Sequence, residues 1–299
     1  VYDHSVNVYG TTANPLDPSQ LLAQRPLDNV GVQYGLQALN EGLITAQQFV
    51  DLNQGIGGFD RDMNHVPERH RADRQATKRA IESGRILFGG AGLATTPVID
   101  YRSYNDHREG GDIHMIVHQF STRQRLINAN GHADNHVMHV GGRWDFVEGQ
   151  DDLGNLFRQM DSWIRAIQND SLEADPERKV ARARPSNLVD SCWDTTSEAV
   201  ELIEETLQFN SASRCGQLYP SYQTPRQIAG APLANDIVSC ELKPIDLTDY
   251  GISFTTEQYQ QLLAVFPEGV CDWSRGDSSG SRHQGTWNSF GPSPINKLY

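Results

Sequence analysis

The chain has few of the features that membrane proteins and nucleic-acid-binding proteins need. No apolar run approaches the roughly 18 residues of a membrane-spanning helix, and the mean hydropathy is −0.55. Basic residues are scarce, because 25 Lys and Arg face 38 Asp and Glu, which gives a formal net charge of −13. Nucleic acids and anionic membrane surfaces are bound through clustered Lys and Arg. We therefore expect no membrane span and no nucleic-acid partner.

Hydrophobic residues are also few. They make up 37% of the 299 residues, whereas about half is usual for a globular protein. This shortage predicts either a loop-rich surface or a core that is shared with another polypeptide. The first residue is Val rather than Met, so we expect a processed chain or a fragment of a longer one.

Cysteine is limited to four residues, and all of them lie between residues 192 and 271 of the sequence. An even number of cysteines in such a segment predicts two disulfides and an oxidising compartment, either secreted or periplasmic. Three pairings are possible. We favour Cys192–Cys215 and Cys240–Cys271 because sequence neighbours close the shorter loops. A zinc site is less favoured, since no CxxC or CxxH spacing occurs.

The chain also lacks a convincing nucleophile. The segment GDSSG at residues 276–280 formally matches the G-x-S-x-G pattern. A nucleophile elbow requires a hydrophobic strand before the serine and a helix after it. The flanking segments CDWSR and SRHQGTWNS predict neither, so we do not assign the attacking group to this motif.

What the chain does have is a stretch rich in histidine and aspartate, residues 96–140. An apolar run at Pro97–Ile99 is followed by Asp106, a long segment and then Gly131-His132. In an α/β-hydrolase the acid lies on the loop after one strand and the histidine on the loop after the next. The carboxylate fixes the imidazole tautomer, and the imidazole deprotonates a nucleophile. A surface region with ordinary hydrogen bonds fits the same residues.

Three histidines are candidates for the base. His132 fits the Gly-His position and is ranked first, and His114 is second because it lies nearer to Asp106 in the sequence. His136 is third: it alternates with apolar residues in a predicted strand over residues 136–140, as His139 does, so both are expected on the strand surface. A helix is predicted over residues 114–126. Clustered His and Asp can also bind zinc or manganese, but no HExxH spacing is present, and we expect no cofactor.

Other segments carry local signals. Residues 151–167 are predicted to form a helix whose apolar residues, Phe157 and Trp163 among them, pack into the core. Thr45–Gln48 and Thr255–Gln258 have the form of capping boxes, and residues 1–10 are read as an edge strand. Asp60, Asp62 and Asn64 have the spacing of half a calcium loop, but the rest of that motif fails and a solvated turn is favoured.

Several blocks taken together resemble the C-terminal half of a bacterial family of large, exported α/β-hydrolase-like proteins. They include RPLDNVGVQYGLQAL, GLITAQQFVDLNQGIGGFDRD, TPVIDYRSYND, PRQIAGAPLANDIVSCELKPID and FPEGVCDWS. The blocks are more loosely similar to oligo-hydroxybutyrate hydrolases and to the tannase and feruloyl-esterase group. The resemblance implies an α/β fold. Residues 1–170 would form the C-terminal part of a hydrolase-like sheet, and residues 171–299 a cysteine-containing, loop-rich extension packed on it.

The resemblance also implies that the catalytic residues lie on two different polypeptides. The nucleophile would lie upstream, in an N-terminal half that is a second chain of the same precursor. This chain would supply Asp106 as the acid and His132 as the first-ranked base for hydrolysis of a small ester or oligoester. The alternative is a non-catalytic, secreted binding or structural subunit on a hydrolase-like scaffold.

Overall fold

The computed structural model describes residues 2–109, 112–142, 152–172, 175–197 and 199–284. Contacts group the chain into two compact units. One contains the residues up to Phe88 together with those from Thr224 onward, and the other runs from Gly89 to Gln223. Within the described residues, no helix is both long and apolar enough to cross a bilayer.

Helices and strands both occur along the described chain, in agreement with an α/β protein. The α-helices are α1 (Tyr2–Tyr9), α2 (Leu36–Asn40), α3 (Ala46–Gly55), α4 (Arg74–Glu82), α5 (Val117–Asn130), α6 (Asp152–Asn169), α7 (Pro176–Arg182), α8 (Arg214–Leu218), α9 (Pro225–Ile228) and α10 (Thr256–Val265). The strands are β1 (Thr11–Ala13), β2 (Leu21–Ala23), β3 (Gly58–Phe59), β4 (His65–Val66), β5 (Val98–Arg102), β6 (His136–Gly141), β7 (Ser191–Asp194), β8 (Glu201–Glu204), β9 (Cys240–Lys243) and β10 (Val270–Asp277).

The second unit is built on a four-stranded sheet in the order β5-β6-β7-β8. The first three strands are parallel, and β8 runs antiparallel to β7. In the register of β5 and β6, Val98 lies opposite His136 and Arg102 lies opposite Val140. This register fixes which loops meet at each end of the sheet.

The prediction of a strand at residues 136–140 is confirmed, but the predicted exposure of its histidines is wrong. All six residues of β6 are buried, and His136 and His139 are only 2% and 4% exposed. The reason is the position of β6 between two parallel neighbours, because parallel sheets are commonly covered on both faces. In such a strand, alternation with apolar residues does not mark a solvent face.

Two helices pack beside this sheet. Helix α5 begins a few residues later than predicted and ends at Gly131, whose φ of 81° is the left-handed conformation that favours glycine at a helix end. On α6, Trp163 is fully buried beside Val137 and donates its indole N–H to the carbonyl of Val180. Phe157, by contrast, is 70% exposed. The predicted core face of α6 is therefore narrower than its apolar residues indicated.

The first unit has its own apolar core, in which residues of α3 and α10 pack together. Both helices begin with the predicted capping boxes. The threonine hydroxyl accepts the amide N–H of the third helical residue, a glutamine, and the side chain of that glutamine accepts the backbone N–H of the threonine. The segment predicted as an N-terminal edge strand forms α1 instead.

Both predicted disulfides are present. Cys192–Cys215 joins β7 to α8 in the second unit, and Cys240–Cys271 joins β9 to β10 in the first. The GDSSG segment begins at the end of β10, and residues 278–284 form no helix. The structure therefore agrees that this motif is not a nucleophile elbow.

Candidate functional site

The parallel strands of the second unit create a shared edge where polar loops meet. In open α/β sheets, ligands bind in the crevice beyond the carboxyl ends of the strands. We call this end of the β5-β6-β7 group the carboxyl edge. The loop after β5, residues 103–116, lies here and is described except for residues 110 and 111. The segment after β6, residues 142–151, contains no histidine, and only its first residue is described.

Asp106 lies on the loop after β5, where the sequence predicted the acid. Its Oδ1 accepts the backbone N–H of Ile116 at 2.9 Å, so the carboxylate ties the middle of the loop to the start of α5. Its Oδ2 is buried and has no hydrogen-bond partner among the described residues. Burial raises the pKa of Asp106, while the Ile116 amide acts in the opposite direction.

His114 lies on the same loop as Asp106. Its Nδ1 is 2.7 Å from Oδ1 of Asp112, and the same oxygen accepts the backbone N–H of His114 at 2.7 Å. The imidazole itself is 67% exposed. Arg108 approaches the other oxygen of Asp112 at 3.3 Å. Hydrogen bonds from the backbone and the ring of His114 lower the pKa of Asp112, so this carboxylate stays ionised at neutral pH.

His132 lies at the opposite end of the strands, because it follows α5 and precedes β6. β5 has five residues, and the four steps between them, at roughly 3.3 Å each, separate the side of the sheet that carries His132 from the loop of Asp106 by about 13 Å. Nδ1 of His132 is 3.5 Å from the backbone N–H of Asp134, and Nε2 is 3.9 Å from Glu177. Among the described residues, no hydrogen bond or ion pair joins Asp106 to His132 or to His114. The assignment of catalytic roles to these three residues stays a prediction.

His136, the third-ranked histidine, belongs to a buried charge network at the amino end of the sheet. Arg123 donates from Nε to Nδ1 of His136 at 3.2 Å and binds Asp190 with two nitrogens. On its other side, Nε2 of His136 lies 3.4 Å from Asp100. Arg123, His136 and Asp190 border a cavity of about 600 Å³. Both ring nitrogens of His136 are engaged, so we interpret this histidine as part of the framework.

A serine–histidine pair that the sequence analysis did not single out lies inside the same sheet. Nδ1 of His139 is 2.6 Å from Oγ of Ser191, in register across β6 and β7. Both residues are buried, and burial lowers the pKa of His139 to about 4. The pair has the right atoms for nucleophilic catalysis but no access for a substrate. No local sequence pattern could have found it, because the two residues are 52 positions apart.

The aspartate-rich turn in the first unit closes on itself. The carboxylate of Asp60 accepts the amides of Asp62 and Asn64 and the side-chain N–H of Asn64. Its acceptor positions are thus used locally, as expected for a solvated turn. Within the part of the chain that the structure describes, no group of three or more His, Cys, Asp or Glu is arranged to hold a metal ion.

Comparison with known proteins gives one match. A family model described as a tannase-like family of unknown function matches residues 1–281. Searches of curated proteins and of solved structures found no match to the chain. The matched region contains the second unit, the first unit up to residue 281 and all the candidate residues discussed above, and it confirms the resemblance to the tannase group that the sequence blocks indicated.

Proposed function

This chain belongs to the tannase-like family that its sequence matches, and from that premise we propose that it is part of a secreted, serine-dependent carboxylic ester hydrolase. This chain supplies the general base and the carboxylate that supports it. The attacking serine comes from the N-terminal half of the same precursor, present as a second polypeptide. Two disulfides support folding in an oxidising compartment, and the parallel strands β5 to β7 are compatible with the end of a hydrolase-like sheet.

One observation carries the proposal: Asp106 and His114 share the loop at the carboxyl edge, where sites of α/β proteins lie. In the proposed reaction, the serine Oγ attacks the ester carbonyl carbon as His114 takes the serine proton. The tetrahedral intermediate then collapses, and His114 returns this proton to the departing alcohol. A water molecule, deprotonated by the same histidine, attacks the acyl-enzyme, and the serine recovers its proton as the acid is released.

We assign the base to His114 rather than to the first-ranked His132. A single serine can be reached only by a histidine on its own side of the sheet, and Asp106 lies at the carboxyl edge, on the loop after β5. His132 lies before β6, so it would need a nucleophile at the amino edge. Asp106 keeps the role of a carboxylate that supports the base from the same loop.

The test uses the protein as it occurs with its companion polypeptide, co-purified from a host that expresses the whole precursor. Hydrolysis of p-nitrophenyl esters and labelling by a fluorophosphonate probe report on the active serine. We expect His114→Gln to lower kcat by roughly 10²- to 10⁴-fold, the usual contribution of a general base. His132→Gln is the matched control, because it replaces another solvent-accessible histidine beside an aspartate, and it should leave kcat unchanged within about two-fold.

The alternative is a non-catalytic binding subunit, which would show no ester hydrolysis and no labelled serine in this test. One observation favours that alternative, namely the absence of histidine from the segment after β6, residues 142–151. If the co-purified protein hydrolyses no ester and no serine in it is labelled, the hydrolase proposal fails. If His132→Gln abolishes activity while His114→Gln does not, the base is His132 and our choice of edge is wrong.

A further inference from the structure

We propose that Asp112 is the positioning residue for the base, and that it holds His114 in the tautomer with the proton on Nδ1. This inference rests on the proposed function, since it assigns a partner to the same histidine. It also assigns different roles to the carboxylates of Asp112 and Asp106. Asp112 holds the imidazole directly, whereas Asp106 anchors the far end of the same loop.

The argument begins with the hydrogen bond between the two side chains. Nδ1 of His114 lies 2.7 Å from Oδ1 of Asp112, a normal length for a bond to a charged acceptor. An ionised carboxylate can only accept hydrogen bonds, so the proton of this bond belongs to Nδ1. In the neutral ring, Nε2 then carries the lone pair. A general base acting through Nε2 needs this tautomer.

Asp112 is itself held in place. Its Oδ1 accepts the backbone N–H of His114 as well as the ring N–H, so one oxygen fixes both the main chain and the imidazole of the same residue. Arg108 approaches Oδ2 at 3.3 Å. These contacts lower the pKa of Asp112 and keep it charged, which is the state that a positioning carboxylate requires.

Other histidines of the second unit lack this arrangement. At His132, Nδ1 lies 3.5 Å from the backbone nitrogen of Asp134 and 3.6 Å from the Asp134 carboxylate, so no carboxylate is as close to it as Asp112 is to His114. At His118, Nε2 is 3.1 Å from the carbonyl of Ile113, so the proton is on Nε2.

His136 also has its proton on Nε2, because Nδ1 accepts a bond from Arg123. Within the described residues of this unit, His114 is thus the histidine that combines a carboxylate bond at Nδ1 with a solvent-facing ring.

The surroundings of the loop agree with a base that serves a second polypeptide. The ring of His114 is 67% exposed, so an incoming serine can reach it without displacing the core. Two residues further on, the N–H of Ile116 is bound by Asp106. The segment that carries His114 is therefore fixed on both sides, by Asp112 before it and by Asp106 through Ile116 after it.

A spectroscopic test examines the geometry in this chain. The ¹⁵N chemical shifts of a neutral imidazole distinguish its two tautomers. We expect wild-type His114 to show Nδ1–H and Asp112→Asn to lose that preference. Asp134→Asn is the matched control, since it changes an aspartate two positions from His132, and it should leave the His114 signals unchanged. A wild-type His114 with its proton on Nε2 would overturn the inference.

A kinetic test examines the role in the complete two-chain enzyme. Asp112→Asn should lower kcat by roughly 10³- to 10⁴-fold, the scale seen when a base is left in the wrong tautomer, with KM changed by less than about three-fold. Asp112→Glu, which restores a carboxylate, should recover part of the loss, and a misfolded loop would not show this recovery. If the enzyme is active and Asp112→Asn keeps wild-type kcat, the inference fails alone. If the wild-type assembly has neither activity nor a labelled serine, the proposed function fails and the inference with it.

Discussion

Nδ1 of His139 lies 2.6 Å from the hydroxyl oxygen of Ser191 within the buried sheet of the second unit. The other ring nitrogen, Nε2, has no hydrogen-bond partner among the described residues. The neutral ring is accommodated by one hydroxyl group, whereas a charged ring would need a second partner. This explains why burial lowers the pKa of His139 to about 4, and it makes the pair a source of pH-dependent stability.

The first prediction concerns that pH dependence. In the unfolded chain a histidine has a pKa of about 6.5, so between pH 6.5 and pH 4 the unfolded state binds a proton at His139 that the folded state does not. Stability from this group is therefore present above pH 6.5 and is lost as the pH falls to 4. The shift corresponds to at most about 3 kcal/mol. Urea unfolding across this range should show a shallower pH dependence for His139→Gln than for wild type, and parallel curves would contradict the assignment.

The second prediction concerns Asp190 and Arg123. The side chain of Asp190 is 10% exposed, and this partial burial tends to raise its pKa, but Arg123 and two backbone amides outweigh burial, and the pKa of Asp190 lies below its usual value. Replacing Asp190 by Ala leaves Arg123 without its carboxylate partner and the amides of Met138 and Leu207 without their acceptor. We expect a loss of roughly 3–5 kcal/mol in the free energy of unfolding, measured by urea denaturation.

Asp161→Ala is the control for that measurement. Asp161 also binds an arginine, Arg165, at 2.8 Å, but both side chains are exposed on α6. Such a pair contributes about 0.5 kcal/mol or less. Equal effects of the two substitutions would show that the buried pair has no special importance. As the folded-state pKa of Asp190 is lowered, its contribution should also fall as the pH drops below about 4.

The third prediction concerns the disulfides. Replacing both cysteines of either pair by serine removes a cross-link that closes 23 residues for Cys192–Cys215 and 31 for Cys240–Cys271. Chain-entropy arguments give about 3 to 4 kcal/mol for loops of these lengths. We expect each double variant to unfold at lower urea concentration than wild type, and the two losses to be similar. Peptide mapping by mass spectrometry without reduction would contradict the pairing if it found Cys192 joined to Cys240 or Cys271.

The fourth prediction concerns the start of α3. The hydroxyl of Thr45 accepts the amide of Gln48, and the Gln48 side chain accepts the amide of Thr45. Thr45→Ala should cost about 1 kcal/mol of stability, and Thr45→Ser, which keeps the hydroxyl, should cost much less. Thermal unfolding of the two variants beside wild type measures the difference. If serine and alanine are equally destabilising, the methyl group of Thr45 and not its hydroxyl is what matters.

The sequence predicted local features well, because local chemistry decides them. The capping boxes, the disulfide pairing, and the central parts of α5 and β6 all follow from neighbouring residues. The placement of the base depends on where β6 begins, and a Gly-His dipeptide does not report that. Since β6 starts at His136, His132 precedes the strand, and for this reason we propose His114 as the base instead. The Asp112–His114 contact corresponds to an Asp-x-His spacing in the sequence. The sequence analysis did not use this spacing.

The grouping of segments into two units also could not be predicted from the order of residues along the chain. A boundary at residue 170 divides the sequence into two consecutive parts, whereas the contacts unite the residues before Gly89 with those after Gln223. The apolar core of the first unit joins α3 to α10, more than 200 positions away. Periodicity within α3 or α10 shows which face is buried but not which distant helix covers it.

This arrangement has a consequence for biosynthesis. Residues 89–223 are synthesised before β9, α10 and β10. The second unit can therefore complete its sheet while the first unit still lacks these three elements. Until α10 has been made, the apolar side chains of α3 lack that partner helix, and until Cys271 has been made, Cys240 is an unpaired thiol. Nascent chains that stop after the second unit has emerged from the ribosome, but before α10 has emerged, should therefore expose apolar side chains of α3 and recruit chaperones there, while the segment that carries His114 can already fold.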